Sequence, residues 1–259
     1  MPKTEKDRYL SNSLIRGLEI LKMFDASHST LSLAEIAAKM GVSRTVPFRF
    51  LYTLQHLGYL FQDETTKRYQ LTPKVMELGF AFLNTMHLPE LARPYLEKLR
   101  DQTGASAHIG ILDGTEVVYI ARAATSTNFS TLNVMIGSRL PAHATSMGKV
   151  LLAFLPEEKR ASVMESIQLQ SFTTQTKTMM EDLKAQLEEI RAQGYAVSNE
   201  EFEIGIYSVA FPIFDRDGVI SAAINIASPT SMINESVIDS QIIPAVREAA
   251  KALSGYSNK

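Results

Sequence analysis

"GVSRTVPFRF" (residues 41–50) decides how the head of the chain is read. A glycine stop and a serine are followed by Arg44, Thr45 and Arg49. That is the start of a helix suited to a DNA groove. Arginine grips guanine bidentately, and threonine reaches a base edge or a phosphate. Pro47 is the difficulty. With Ser43 as N-cap it is the fourth helical residue and forfeits one hydrogen bond, to the Ser43 carbonyl. With Thr45 as cap it is the second, where its missing N–H would have had no partner in any case. Either way it lies in the first turn, and its cost falls well below the ~3 kcal/mol of an interior proline. The helix is expected to survive, to start late or distorted, and to end at Gly58. Phe50, Leu54 and Leu57 are expected to face inward. Arg44, Thr45, Phe48, Arg49 and Tyr52 are expected to face outward, and with Ser43 they are the candidate DNA contacts.

The flanks support this reading. "SLIRGLEILKMF" (13–24) spaces Leu14, Leu18 and Leu21 as a helical stripe, with Ser13 available as cap. "SLAEIAAKMG" (32–41) opens with Ser32 and Glu35 at capping-box spacing, and Gly41 supplies the left-handed stop. Two short helices joined by a glycine turn form a helix-turn-helix. "YLFQDETTKRYQLT" (59–72) then reads as strand, polar turn, strand, with Tyr59, Phe61, Tyr69 and Leu71 at period 2. A hairpin behind a recognition helix is a wing. Lys67 and Arg68 stand at or beside its tip, where phosphate contacts are expected.

Composition is compatible with this. Residues 1–75 carry 11 Lys/Arg against 7 Asp/Glu, whereas the rest carry 15 against 21. A basic head on an acidic body suits a DNA reader with a separate regulatory part. There is no cysteine, so neither a disulfide framework nor a Cys-based zinc site is expected. The five histidines have no metal-ligand spacing, and no metal or cofactor is expected. "MPKTEKDRYL" has charges without an apolar run behind them, and no stretch approaches the ~20 apolar residues of a membrane helix. A cytoplasmic protein with no membrane partner is expected.

"TPKVMELGFAFLNTMH" (72–87) is an apolar helix that needs a covering surface, read first as a dimer contact. Beyond it, helices alternate with two hairpins, about Asp113-Gly114 and Asp217-Gly218, and "FSTLNVMIG" is read as a further strand. "TMMEDLKAQLEEIRAQG" is read as a long helix ending at Gly194, and Pro244 is read as a kink in the last helix. The pattern is α+β, with helices on an antiparallel sheet.

"GSRLPAHATSMGKVLLAFLP" (137–156) resembles the segment that marks the IclR family of bacterial transcriptional regulators. So do "RGLEILKMF", "LAEIAAKMGVSRT", "LYTLQHLGYL", "RYQLT", "GYAVSNEE" and "VAFPIFDRDGVISAAINIASP", in the family's order. The resemblance runs from about residue 11 to 255. "LPAHATSMGKVLLA" looks most like the branch controlling breakdown of aromatic acids through the β-ketoadipate pathway. Pro47 departs from the family's usual recognition helix. The resemblance implies a winged helix-turn-helix domain over 1–72, a linker and dimerisation helix over 73–88, and a GAF-like effector-binding domain over 89–259. It also implies double-stranded operator DNA as partner and assembly as a homodimer or a dimer of dimers. Carried over position by position, the effector pocket would be lined by Phe129, Leu132, Leu140, Ser146, Met147, Ser198, Ile206, Ser208, Asn225 and Ala227. Hydroxyls, an amide and a helix N-terminus suit a small carboxylate, and apolar side chains could wall a ring. His143 and Arg139 flank the pocket loop.

The function expected is ligand-responsive regulation of a catabolic operon. The effector would be protocatechuate, 4-hydroxybenzoate or β-ketoadipate, or alternatively a non-aromatic or sugar-derived carboxylate. Two other classes compete. A hydrolase could use Ser146, His143 and Glu200 or Glu201, but no G-x-S-x-G elbow surrounds Ser146, and "SMGKV" lacks the upstream glycine of a phosphate loop. No catalytic residues are expected. A head that binds a protein instead of DNA would use Phe48 and Tyr52, and its binding would lack a steep salt dependence.

Overall fold

The computed structural model describes residues 9–125, 134–232 and 235–255. The chain divides into two compact units, Met1–Phe82 and Leu83–Lys259.

The first unit holds α1 (Asn12–Leu21), α2 (Leu33–Lys39), α3 (Thr45–His56), a hairpin of β1 (Leu60–Gln62) and β2 (Tyr69–Leu71), and α4 (Met76–Leu83), which ends at the boundary. Ser32 and Glu35 form the capping box on α2. The cap of α1 is Ser11, whose hydroxyl accepts from the Leu14 N–H at 3.4 Å, and not Ser13. Gly41 and Gly58 adopt φ of +64° and +78° behind α2 and α3, the left-handed turn that glycine enters at least cost.

Pro47 does not break α3. Arg44 is the N-cap, so Pro47 is the third helical residue. Its absent N–H belongs to the positions that lack a partner in any helix. The Ser43 carbonyl accepts from the Val46 N–H instead, at 3.1 Å. The ring is buried, with Leu51 and Leu54 on the same face.

The inward face expected of α3 needs correction, and the apolar spacings of α1 and the hairpin do not mark their buried faces. Leu57 is 49% exposed and Phe50 only half-buried, because the face of α3 that packs inward carries Pro47, Leu51 and Leu54. On α1, Leu14 and Leu18 are exposed, while Ile20 joins Phe24, Leu31, Ile36, Leu51, Leu54, Leu60 and Tyr69 in the core. Leu14, Leu18, Leu21, Phe50, Leu57 and Leu78 instead line an apolar surface groove. In the hairpin, Leu60 pairs with Leu71, and Gln62 with Tyr69, so Phe61 points outward and Leu60 inward.

In the second unit six antiparallel strands form one sheet in the order β5 (Arg139–Pro141), β4 (Glu116–Ala123), β3 (Ser106–Asp113), β8 (Ile220–Pro229), β7 (Ile206–Phe214), β6 (Ala196–Asn199). Helices cover both faces. α5 (Leu88–Thr103) and α10 (Ile243–Leu253) pack on one, where Ile109, Val209, Phe211, Ile224 and Ile226 point. α6 (Ser146–Phe154) and α8 (Met180–Gln193) pack on the other, over Val117, Tyr119, Ala210 and Ala223. α7 (Glu157–Ser166) lies between α6 and α8 in sequence, and α9 (Glu235–Val237) passes through a π turn (Ile238–Ile242) into α10. Pro244 follows directly on the π turn, within a run that is helical from Glu235 to Leu253. α8 ends at Gly194, and both hairpins turn where expected, with Gly114 and Gly218 at positive φ. Of "FSTLNVMIG", 129–133 lie outside the described residues, and 134–137 form a turn in place of the expected strand.

A bulge shapes the sheet face that α6 covers. Ile109 pairs with Ala121 but Gly110 pairs with Tyr119, so Ile120 is left over on β4. Ile120 and Ala121 both face α5 and α10. Tyr119 and Arg122, three residues apart, therefore both face the α6 side.

Candidate functional site

The exposed face of α3 carries Thr45, Phe48, Arg49 and Tyr52, with Ser43 and Arg44 leading into it, all exposed. Phe48 and Tyr52 are 55% and 66% exposed, more than a core aromatic would be. The Ser43 and Thr45 hydroxyls lie 2.9 Å apart.

At the wing, the Asp63 carboxylate accepts from the N–H groups of Thr65 and Thr66 and from the Thr66 hydroxyl. These bonds pull its pKa down. The turn they close holds Lys67 exposed at φ +56°. Arg68 lies beside the tip but is engaged within the domain. Its Nε donates to the Thr30 hydroxyl at 2.8 Å, and its Nη2 donates to the Thr30 carbonyl and meets the Glu35 carboxylate, each at 2.9 Å. The Ser32 N–H first, then the Ser32 hydroxyl, then Arg68 hold the Glu35 pKa down to about 2. Arg68 thus ties the wing to the N-terminus of α2.

In the second unit a cavity of about 280 Å³ lies on the α6 side of the sheet. Of the ten residues expected to line it, Leu140, Ser198, Ile206, Ser208, Asn225 and Ala227 do so. Ser146 and Met147 do not line it. Both are fully buried, and the Ser146 and Ser208 hydroxyls are 2.8 Å apart. Phe129 and Leu132 lie outside the described residues. Thr145 caps α6, its hydroxyl accepting from the Gly148 N–H at 3.2 Å. The N–H groups of the first turn of α6 have no partner within the helix, and the dipole there favours an anion.

The cavity also takes residues that sequence reasoning missed: His108, Tyr119, Arg122, Thr145, Phe202 and Glu203. Strand register explains the first three. Arg122 pairs with His108, and His108 pairs with Asn225, so the three stand side by side across β4, β3 and β8. His108 is 5% exposed. Its Nδ1 lies 3.1 Å from the Asn225 Oδ1, and its ring meets Tyr119 edge-on at 5.4 Å. Burial lowers its pKa to about 4, with the Arg122 charge adding and the Asn225 bond opposing. The ring is neutral near pH 7. Burial likewise pushes the Tyr119 phenol up. A lone histidine in the apolar run "AHIGIL" was the only signal available in the sequence.

Two flanking residues have structural partners. Arg139 bridges Asp113 at 2.7 Å and Glu116 at 2.8 Å, and His143 is buried with Nε2 3.0 Å from the Gln170 carbonyl. Beside the cavity, Lys149 and Glu201 form an ion pair, their side chains 0% and 8% exposed. Lys149 Nζ also donates to the Val197 carbonyl at 3.0 Å. Burial lowers the Lys149 pKa while Glu201 raises it. Glu201 Oε2 takes no hydrogen bond among the described residues.

Residues 13–64 match the family model for the IclR helix-turn-helix domain, and residues 80–255 match that for the bacterial transcriptional regulator IclR C-terminal region. The chain is 34% identical over 241 residues to the Pca regulon regulatory protein of Pseudomonas putida, covering 93% of this chain and 82% of that protein. A transcriptional regulator from Rhodococcus sp. RHA1 has a similar structure, with a TM-score of 0.82, 38% identity and coverage of 94% of this chain and 97% of that one. A double mutant of the PobR inducer-binding domain from Acinetobacter, in complex with 3-hydroxybenzoic acid, superimposes with a TM-score of 0.60 and 35% identity, covering 64% of this chain and 97% of that one.

Proposed function

The chain belongs to the IclR family of bacterial transcriptional regulators, and on that premise we infer that it binds operator DNA and answers to a small carboxylic acid. The observation that carries the ligand half is the cavity itself. It lies between one sheet face and the segment leading into α6 (Leu140, Ala144 and Thr145), and it has hydroxyls from Ser198 and Ser208 beside a helix N-terminus. A carboxylate accepts hydrogen bonds from such donors and gains from the dipole. Leu140, Ile206 and Phe202 supply apolar wall for a ring. The likeness to the Pca regulon regulator and to the hydroxybenzoate-bound domain supports an acid of aromatic catabolism.

The exposed α3 face would enter the major groove with Arg44, Thr45, Phe48, Arg49 and Tyr52, and Lys67 would meet phosphate at the wing. Met76, Leu78, Phe80 and Phe82 of α4 are about half exposed, and this reading assigns them to a dimer contact, giving a homodimer or a dimer of dimers that reads paired half-sites. A regulator acting on operator DNA works in the cytoplasm. The acid changes operator affinity only by binding one arrangement of the assembly better than the other.

A thermal-shift panel of aromatic and aliphatic carboxylates tests the ligand class. An acid at 100 times its Kd adds ~2.7 kcal/mol of stability. A rise with an aromatic acid supports the reading. A rise only with aliphatic or sugar-derived acids moves the chain to another branch of sensors, and no rise with any acid refutes a carboxylate effector.

A further inference from the structure

We propose that His108, held by Asn225, reads a hydroxyl group on the effector, so that the ligand is a hydroxylated ring carboxylate and not a keto diacid. This rests on the carboxylate-sensor reading above.

The two nitrogens of the His108 imidazole have different surroundings. Nδ1 faces the Asn225 Oδ1 at 3.1 Å. A carbonyl oxygen only accepts, so Nδ1 carries the proton. The neutral ring then presents a lone pair at Nε2. His108 lines the cavity, and Nε2 has no hydrogen-bond partner among the described residues. The ring is buried; a lone pair on a buried ring calls for a donor, and leaving that bond unmade costs free energy. A phenol or alcohol supplies an O–H at that point. A ketone or a second carboxylate supplies only acceptors, which a lone pair repels.

The register also separates the two polar ends of the site. His108 lies in the row with Asn225 and Ala210, and Ser208 lies in the next cavity-facing row, with Ala227 and Ser106. Two strand spacings across and two residues along separate the Cα atoms of His108 and Ser208 by ~12 Å. Both side chains line the same cavity, so a single ring bearing its carboxylate and hydroxyl at opposite ends can address the two. Tyr119, edge-on to His108, fixes the imidazole plane from the other side, so the acceptor keeps one direction.

Calorimetric titration of the full chain with benzoate, 4-hydroxybenzoate, 4-methoxybenzoate and terephthalate tests this. The methoxy acid keeps the oxygen and loses the proton. In the unaltered protein 4-hydroxybenzoate should bind about tenfold tighter than benzoate or the methoxy acid, as one hydrogen bond in a desolvated site allows. His108→Leu should remove that preference while all four acids still bind. Asn225→Asp places a carboxylate on Nδ1 and favours the doubly protonated ring, whose Nε2 donates. The order should then shift toward terephthalate. Hydroxy and methoxy acids binding equally, or a hydroxyl preference surviving in His108→Leu, overturns the inference and leaves the carboxylate reading standing. If none of the acids binds, both fall.

Discussion

Replacing Lys149 with methionine tests how the cavity wall is held. The side chain is fully buried, and its ammonium faces Glu201 and the Val197 carbonyl. Methionine is nearly isosteric along the stem, so the change removes a charge more than a volume. Glu201 is then a buried carboxylate stripped of its ion-pair partner, with one oxygen already lacking a hydrogen bond among the described residues. Breaking a buried pair from one side costs about 3–5 kcal/mol. For a domain of this size that lowers the melting temperature by roughly 6–20 °C. Glu201 stands at the start of the loop that carries Phe202, Glu203 and Ile206 to the cavity, so ligand affinity should fall too. Adding Glu201→Gln removes the stranded charge, and the double variant should recover more than half of the loss. Differential scanning calorimetry of the full chain reads this, because a transition of the first unit should stay in place. A single variant that loses under ~1 kcal/mol, or a double variant whose losses simply add, would refute the reasoning.

Arg44→Ala and Arg49→Ala should each weaken operator binding by about 1–3 kcal/mol, and a phosphate-contacting arginine should also lower the salt slope by about one. Fluorescence anisotropy across a salt series measures both, and loss of acid binding in these variants would contradict a ligand site confined to the second unit. Gly148→Ala should destabilise the second unit by ~3 kcal/mol, the upper end for overpacking. Its Cβ would lie 2.2 Å from both Cα and O of Ala142, which are backbone atoms, and an unchanged melting curve would contradict this. The buried His108 makes stability depend on pH. Its pKa is lowered from 6.5 to about 4, so between those values the unfolded chain takes a proton that the folded one refuses. Its contribution is fully present above pH 6.5 and is lost as pH falls toward 4, by ~3 kcal/mol at most. His108→Leu should flatten that part of the melting-temperature profile.

Much of the head was legible in the sequence, because its signals are local. The capping box needs only Ser32 and Glu35, the turns only Gly41 and Gly58, and each is decided within one turn of chain. The α+β class followed from hairpins at Asp-Gly and from helical periodicity. Which face of α1 and α3 turned inward was not legible. The stripes Leu14–Leu18–Leu21 and Phe50–Leu54–Leu57 are as apolar as the true ones, and only packing against the other helices chose Ile20, Pro47 and Leu51.

The cavity divides in the same way. Ser208, Asn225 and Ala227 were reached through the resemblance, residue by residue. Tyr119 and Arg122 were out of reach, because a strand alternates and three residues apart means opposite faces. The bulge at Ile120 reverses that rule, and a bulge is set by pairing with the neighbouring strand. The row Arg122–His108–Asn225 joins positions about a hundred residues apart in sequence by hydrogen-bonded register alone. The sequence by itself determined which elements form and which chemistry they carry, since those depend on neighbours along the chain. Only the tertiary structure decided which side chains meet in the cavity, since that depends on register and on the face each element buries.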